Sequence, residues 1–132
     1  MISGNICQNV TNLADEHLET TFYLFFPPYS ICYWDDLKNR GEIDWRIDAE
    51  QLAIEELIKH PNIKLYSFCN NFDLVCNLDN YKDRAHYGEW INSDILYWMY
   101  NEEYLLTQDN YLDYIETIRE FYNSYDYSLF HE

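Results

Sequence analysis

The chain has 132 residues, 48% of them hydrophobic and 19% aromatic, enough for one core and too few for two domains of ordinary size. That aromatic content excludes the low-hydrophobicity signature of intrinsic disorder despite a net charge of −16. Twenty-four acidic side chains against eight basic ones make a surface that repels phosphate, which excludes non-specific nucleic-acid binding and attraction to anionic lipid.

From residue 5 to residue 18, Ile6, Val10, Leu13 and Leu18 recur near helical spacing and predict a short amphipathic helix packed on a sheet. "TTFYLFF", residues 20–26, is a continuous β-branched and aromatic run stopped by Pro27 and Pro28, the pattern of a strand buried on both faces. A short helix is expected over 31–38, ended by Asn39, Arg40 and Gly41. Asp48 then caps a helix whose apolar side is Leu52, Ile54, Leu57 and Ile58, with Pro61 marking its end.

"NIKLYSF", residues 62–68, reads as a second strand, and strand, crossover helix and strand in that order predict a parallel pair. Residues 69–88 are rich in Asn and Asp without periodicity and read as a loop at the C-terminal edge of the strands, where α/β sheets gather their sites. Glu89 to Tyr100 predicts a helix with Ile91, Ile95, Trp98 and Met99 inward. Thr107 caps a last helix striped by Tyr111, Ile115, Ile118, Tyr122 and Tyr125. The fold class expected is α/β, a helix-rich, partial, three-layer flavodoxin-like parallel sheet in a single domain over 1–132. Two strands leave edges exposed, so the chain either pairs with a second copy or is the C-terminal part of something larger.

Cys7, Cys32, Cys69 and Cys76 form no CxxC pair and have no His at zinc spacing, so the expectation is buried free thiols and no metal or other cofactor. The longest apolar run is far too short to span a bilayer, and Met1 to Val10 is too mixed and polar for a secretory h-region. For this chain the expected location is cytoplasmic or unassigned, without membrane attachment. Tyr23, Tyr29, Tyr33, Trp34 and Trp45 read as core aromatics, with a sugar-stacking platform as the alternative. His17, His60 and His131 read as isolated and exposed.

The constellation that suggests chemistry is Asp83 and His86 in "NYKDRAHYGEW". An Asp three residues before a His, in a turn ahead of a helix, can hold one ring nitrogen while the other acts as general base toward a hydroxyl. Ser30 and Cys69, each just after a strand, are the candidate nucleophiles, with Ser3 weaker; a turn residue and a buried apolar thiol are the simpler readings of the first two. "TTFYLFFPPYSICYW", "NIKLYSF" and "NYKDRAHYGEWINSDIL", in that order, resemble the C-terminal half of SGNH (GDSL-type) hydrolase-like proteins, with the nearest likeness to bacterial proteins of lipoteichoic-acid D-alanylation and polysaccharide O-acetylation. The resemblance spans most of residues 5–125 and implies an esterase or acyltransferase acting without a metal on acyl or sugar esters, at the cell surface in full-length relatives, with Asp83 and His86 as acid and base. This sequence departs from that family in having no Gly-Asp-Ser nucleophile block and no matching oxyanion donors, so the expectation is a fragment inactive alone. The alternative is a non-catalytic acidic interaction module that acts through an exposed sheet edge or as a homo-oligomer. A DNA-mimicking inhibitor is weaker, because the acids are spread along the chain rather than gathered.

Overall fold

The aromatic runs that flank the first half of the chain pair side by side. In the computed structural model, which describes residues 2–131, β1 (Phe22–Phe26) lies parallel to β2 (Ile63–Ser67), with Phe22 opposite Ile63 and Phe26 opposite Ser67. The connection carries α3 (Ile31–Arg40) and α4 (Ile43–Leu57). Gly41 closes α3 in the left-handed region at φ 68°, where its N–H reaches the Leu37 and Lys38 carbonyls, a conformation that favours glycine.

The sheet is mixed rather than parallel throughout. A third strand, β3 (Leu105–Leu106), joins β2 antiparallel, giving the order β1-β2-β3. Nothing in "NEEYLLT" announces a strand, because two residues carry no alternation. The chain reaches β3 through Glu102 and Tyr104, both left-handed at φ 57° and 64°, and the Tyr104 carbonyl accepts from the Ser67 N–H.

Ahead of the sheet, α1 (Ile2–Ile6), a π-helical turn (Cys7–Thr11) and α2 (Asn12–Glu16) form one helical stretch, with α1 lying against α4 rather than on the sheet. Ile6 and Val10 are half-buried, whereas Leu13 and Leu18 face solvent and Thr11 and Ala14 bury instead. The Asn62 carboxamide gathers the carbonyls of Ala14, His17 and Thr20 at 2.9–3.1 Å, steering the chain from α2 into β1. His60, not isolated, bonds Asp15 at 2.8 Å. His17 likewise meets Glu19, and His131 meets Asp35 at 2.8 Å.

The segment read as a loop contains α5 (Phe72–Cys76), capped by the Asn71 side chain on the Leu74 N–H, and a 3-10 turn (Leu78–Asn80). Beyond it come α6 (Glu89–Tyr100), α7 (Tyr111–Ser124) and a final 3-10 turn (Tyr127–Phe130). Ile91 and Ile95 of α6 bury as read, with Trp98 and Met99 half-buried. On α7, Ile115, Ile118 and Tyr122 bury with Tyr114, leaving Tyr111 and Tyr125 half-buried. Asn110, not Thr107, precedes α7; its side chain instead accepts from the Thr107 N–H and donates to the Leu105 carbonyl.

Two corrections follow from what each layer covers. Helix α4 begins at Ile43, so Asp48 lies within it and bonds Arg119 at 2.6 Å instead of capping it. The buried stripe is then Ile43, Ile47, Glu50, Ile54 and Leu57, at alternating steps of four and three, and Leu52 points outward. Strand β1 is not buried on both faces. Its pattern alternates, with Tyr23 and Phe25 exposed and Phe22, Leu24 and Phe26 half-buried against the core, because α6 meets Tyr66 and Phe68 through Met99 and Trp98 and leaves β1 at the open edge.

Within the apolar stripe of α4, Glu50 is an acid at a core position, only 2% exposed. It accepts from the Tyr114 hydroxyl at 2.6 Å and from the Arg46 guanidinium at 3.4 Å. Tyr114 has one proton and gives it to Glu50, so the Ser67 hydroxyl 2.5 Å away donates to Tyr114. Burial pushes the Glu50 carboxyl up, with Arg46 and Tyr114 pulling the other way. Burial, the largest single influence, would lower Arg46, but Glu50, Cys69 and Tyr33 together outweigh it and the guanidinium stays charged. A carboxyl raised in the folded state contributes stability fully below its unfolded value and loses it as pH rises through the raised one. In urea titrations across pH, Glu50→Gln is therefore expected to lack the wild-type decline above the ordinary glutamate range, so that its deficit against wild type is largest at acidic pH and narrows as pH rises. An unchanged pH slope would contradict this.

Candidate functional site

Residues 77–88 fold back on themselves. Tyr81 and Tyr87 form an antiparallel bridge, the Gly88 N–H reaches the Asn80 carbonyl at 2.8 Å, and the Lys82 N–H reaches the His86 carbonyl at 2.8 Å. Gly88 lies directly beneath the Trp90 indole, where an added Cβ would meet ring carbons at 2.2–2.5 Å. The hairpin is fastened to the end of β1: the Arg84 carbonyl accepts from both the N–H and the hydroxyl of Ser30, at 3.1 and 2.7 Å. Tyr81 donates to the Pro28 carbonyl at 2.7 Å, and Arg84 pairs with Asp36 of α3.

At the hairpin tip, Asp83 and His86 meet. The imidazole Nδ1 lies 2.8 and 2.7 Å from the two Asp83 oxygens, so it donates to the carboxylate. Oδ1 of Asp83 also accepts from the N–H groups of Ala85 and His86, both at 2.9 Å. These backbone donors first, and the ring after them, hold the Asp83 carboxyl down at about 2. Donation from Nδ1 leaves the lone pair of a neutral ring on Nε2. The His86 side chain is 77% exposed, at the rim of a surface recess of about 450 Å³ lined by Pro27, Tyr29, Ala85, Tyr87 and Asn92.

The acid and base are thus joined, but none of the candidate nucleophiles reaches them. Ser30 is fully buried and spends its proton on Arg84. Cys69 is also fully buried, and burial, with Glu50 nearby, pushes its thiol up to about 12. The side chain of Ser3 lies outside the described residues. Among the described residues, no serine or cysteine hydrogen-bonds His86. The aromatics weighed as a platform do not share a face: Trp34 is buried and stacked on Tyr122 at 3.8 Å, while Trp45 and Tyr23 face solvent. Glu102 is engaged by Lys64 at 2.6 Å.

The second feature at the surface is the open side of β1. Tyr23 stacks beside Tyr66, and together with Lys64, Leu96, Met99, Tyr100 and Glu102 it lines a largely apolar recess of about 450 Å³. Leu96 and Tyr100 are 65% and 86% exposed, with Tyr97 and Trp90 also outward on α6. The sequence FYLFF carries no apolar–polar alternation; only the alternating burial of β1 marks this edge. Among the described residues no helix is long and apolar enough to cross a membrane. Comparison with family models, with curated proteins and with solved structures returns no match.

Asp83 is held down, so its contribution to hairpin order is complete above the unfolded carboxylate range and lost as pH falls through about 2. Amide hydrogen exchange is expected to show Ala85 and His86 fully protected from neutral pH to about 4, the ordinary aspartate range, progressively less so below it, and released as pH falls through about 2. Asp83→Ala should release both amides at every pH. Protection that survives this substitution would mean that the hairpin holds without the carboxylate.

Proposed function

We propose that the chain is a non-catalytic interaction module that acts through the open edge of β1. The observation that carries this reading is the exposed strand edge next to a recess formed by Tyr23, Leu96, Met99 and Tyr100. An edge strand presents unpaired backbone donors and acceptors to which another extended chain adds, and an adjacent apolar recess gives one of that chain's side chains a seat. The solvent-facing His86, hydrogen-bonded by no serine or cysteine among the described residues, supports binding over turnover.

A second reading keeps the SGNH-type resemblance. The bidentate Asp83–His86 contact and the parallel β1–β2 pair support it, with Asp83 orienting His86 as general base toward an acyl or sugar ester and the serine supplied by a missing segment or a second copy. Without that serine and its oxyanion donors the chain is inactive alone.

Two measurements separate these readings. In affinity capture, a partner retained by His86→Ala and lost by Tyr23→Lys with Leu96→Asp is expected; loss on His86→Ala alone would point to the hairpin instead. With 4-nitrophenyl acetate, wild type and His86→Ala are expected to hydrolyse at the same rate. A tenfold or greater drop in the variant would restore the esterase reading.

A further inference from the structure

Resting on the edge-binding reading above, we infer that the occupant of the β1 edge is an extended, cationic peptide segment of another protein, about five residues long and alternating basic with apolar side chains. Its length follows from β1, which offers five residues, a span of about 17 Å at strand rise. Its alternation follows from the sheet. Side chains of an added strand that lie on the Tyr23 and Phe25 side face the recess, where the exposed carbons of Leu96 and Tyr100 exclude water around an apolar group.

Its charge follows from the elements that frame the recess. Residues 1–37, which lead into and include β1, contain no lysine or arginine and five acids. Residues 85–118, which include α6 and the turn to β3, contain none either, and seven acids. The one lysine lining the recess, Lys64, is neutralised by Glu102 at 2.6 Å. An incoming basic segment therefore meets net negative charge: of these acids, among the described residues, only Asp36, paired with Arg84, and Glu102, paired with Lys64, have an arginine or lysine partner. A second copy of this chain meets the opposite: edge-to-edge pairing would bring two bodies of charge −16 together. Complementarity selects a basic partner over self-pairing.

The test is an NMR titration of the full ¹⁵N-labelled chain with the peptide Lys-Val-Lys-Phe-Lys-Val-Lys. It runs beside the same peptide N-methylated on alternate backbone nitrogens, and beside counterparts with Thr or Glu in place of every Lys. Expected are shifts confined to the amides of 22–26 and 95–100, with affinity at least tenfold above the N-methylated and Thr peptides. Leu96→Asp, at an exposed site, adds negative charge but removes apolar surface, so a seated peptide binds more weakly to it while a merely electrostatic one binds as well or better. Shifts spread over the acidic surface and indifferent to N-methylation would overturn the inference. Equal binding of the Thr or Glu peptide at the edge, or concentration-dependent edge shifts with no peptide present, would overturn the cationic partner and leave the edge-binding reading standing. An edge unmoved by every peptide would overturn both.

Discussion

The buried carboxylate of Glu50 is the constraint around which the layers are assembled. It sits where the spacing of α4 calls for an apolar residue, and it is tolerated because three elements supply its partners: Arg46 from α4 itself, Tyr114 from α7, and Ser67 of β2 through the Tyr114 hydroxyl. Burying a carboxylate without partners is prohibitive, and a partly satisfied network is worse than an apolar core. The pairing therefore fixes the rotation of α4 and α7 about their axes relative to the end of β2. Cys69 continues the network, its N–H on the Ser67 hydroxyl at 3.4 Å and its carbonyl accepting from Tyr122. Tyr122 in turn stacks on Trp34 of α3, over which the Arg46 guanidinium lies at 5.8 Å. Helices α3, α4 and α7 are thus keyed to one strand end by polar contacts embedded in aromatic packing.

The hairpin of residues 77–88 is fastened at the neighbouring end of β1, through the Pro28 carbonyl and Ser30, and that fastening disarms Ser30 as a nucleophile. Ser30 precedes α3 and orients the start of that helix. Its N–H and hydroxyl are both consumed by the Arg84 carbonyl, one residue from Asp83. A serine available to His86 would have to give up the contact that holds the hairpin on the body. The pair is geometrically joined as an acid and a base, and among the described residues no serine or cysteine hydrogen-bonds His86.

How much of this was legible in the sequence depends on the range of the interaction. The parallel β1–β2 pair reads directly from two apolar runs separated by helical pattern, and the meeting of Asp83 and His86 reads from a three-residue offset. Strand β3 does not, since Leu105 and Leu106 are too short for a period and the left-handed Glu102 and Tyr104 that deliver them are not glycines. Glu50 was hidden because acids are presumed outward; the Arg46 spacing of four was its only signal. The fate of Ser30 was decided 54 residues away in sequence by a backbone carbonyl, a contact that no residue type advertises. The solvent side of β1 was concealed for the same reason: an uninterrupted apolar run is written identically for a strand covered twice and for one whose second cover is absent.

An open edge lined by aromatics is ordinarily a route to aggregation, and natural sheets block it with lysines, prolines or bulges. This chain places none of these within β1. Proline enters only after Phe26, and the first lysine is Lys38. What opposes self-pairing is the net charge of −16, with Lys64 and Arg84 beside the strand already paired to Glu102 and Asp36, so that two like bodies repel at close approach. Such a device leaves the edge closed to copies of itself and open to an opposite charge. Under the proposed reading the acidity of the chain and the exposure of β1 explain each other: neither feature alone specifies a partner, and together they favour a positive one.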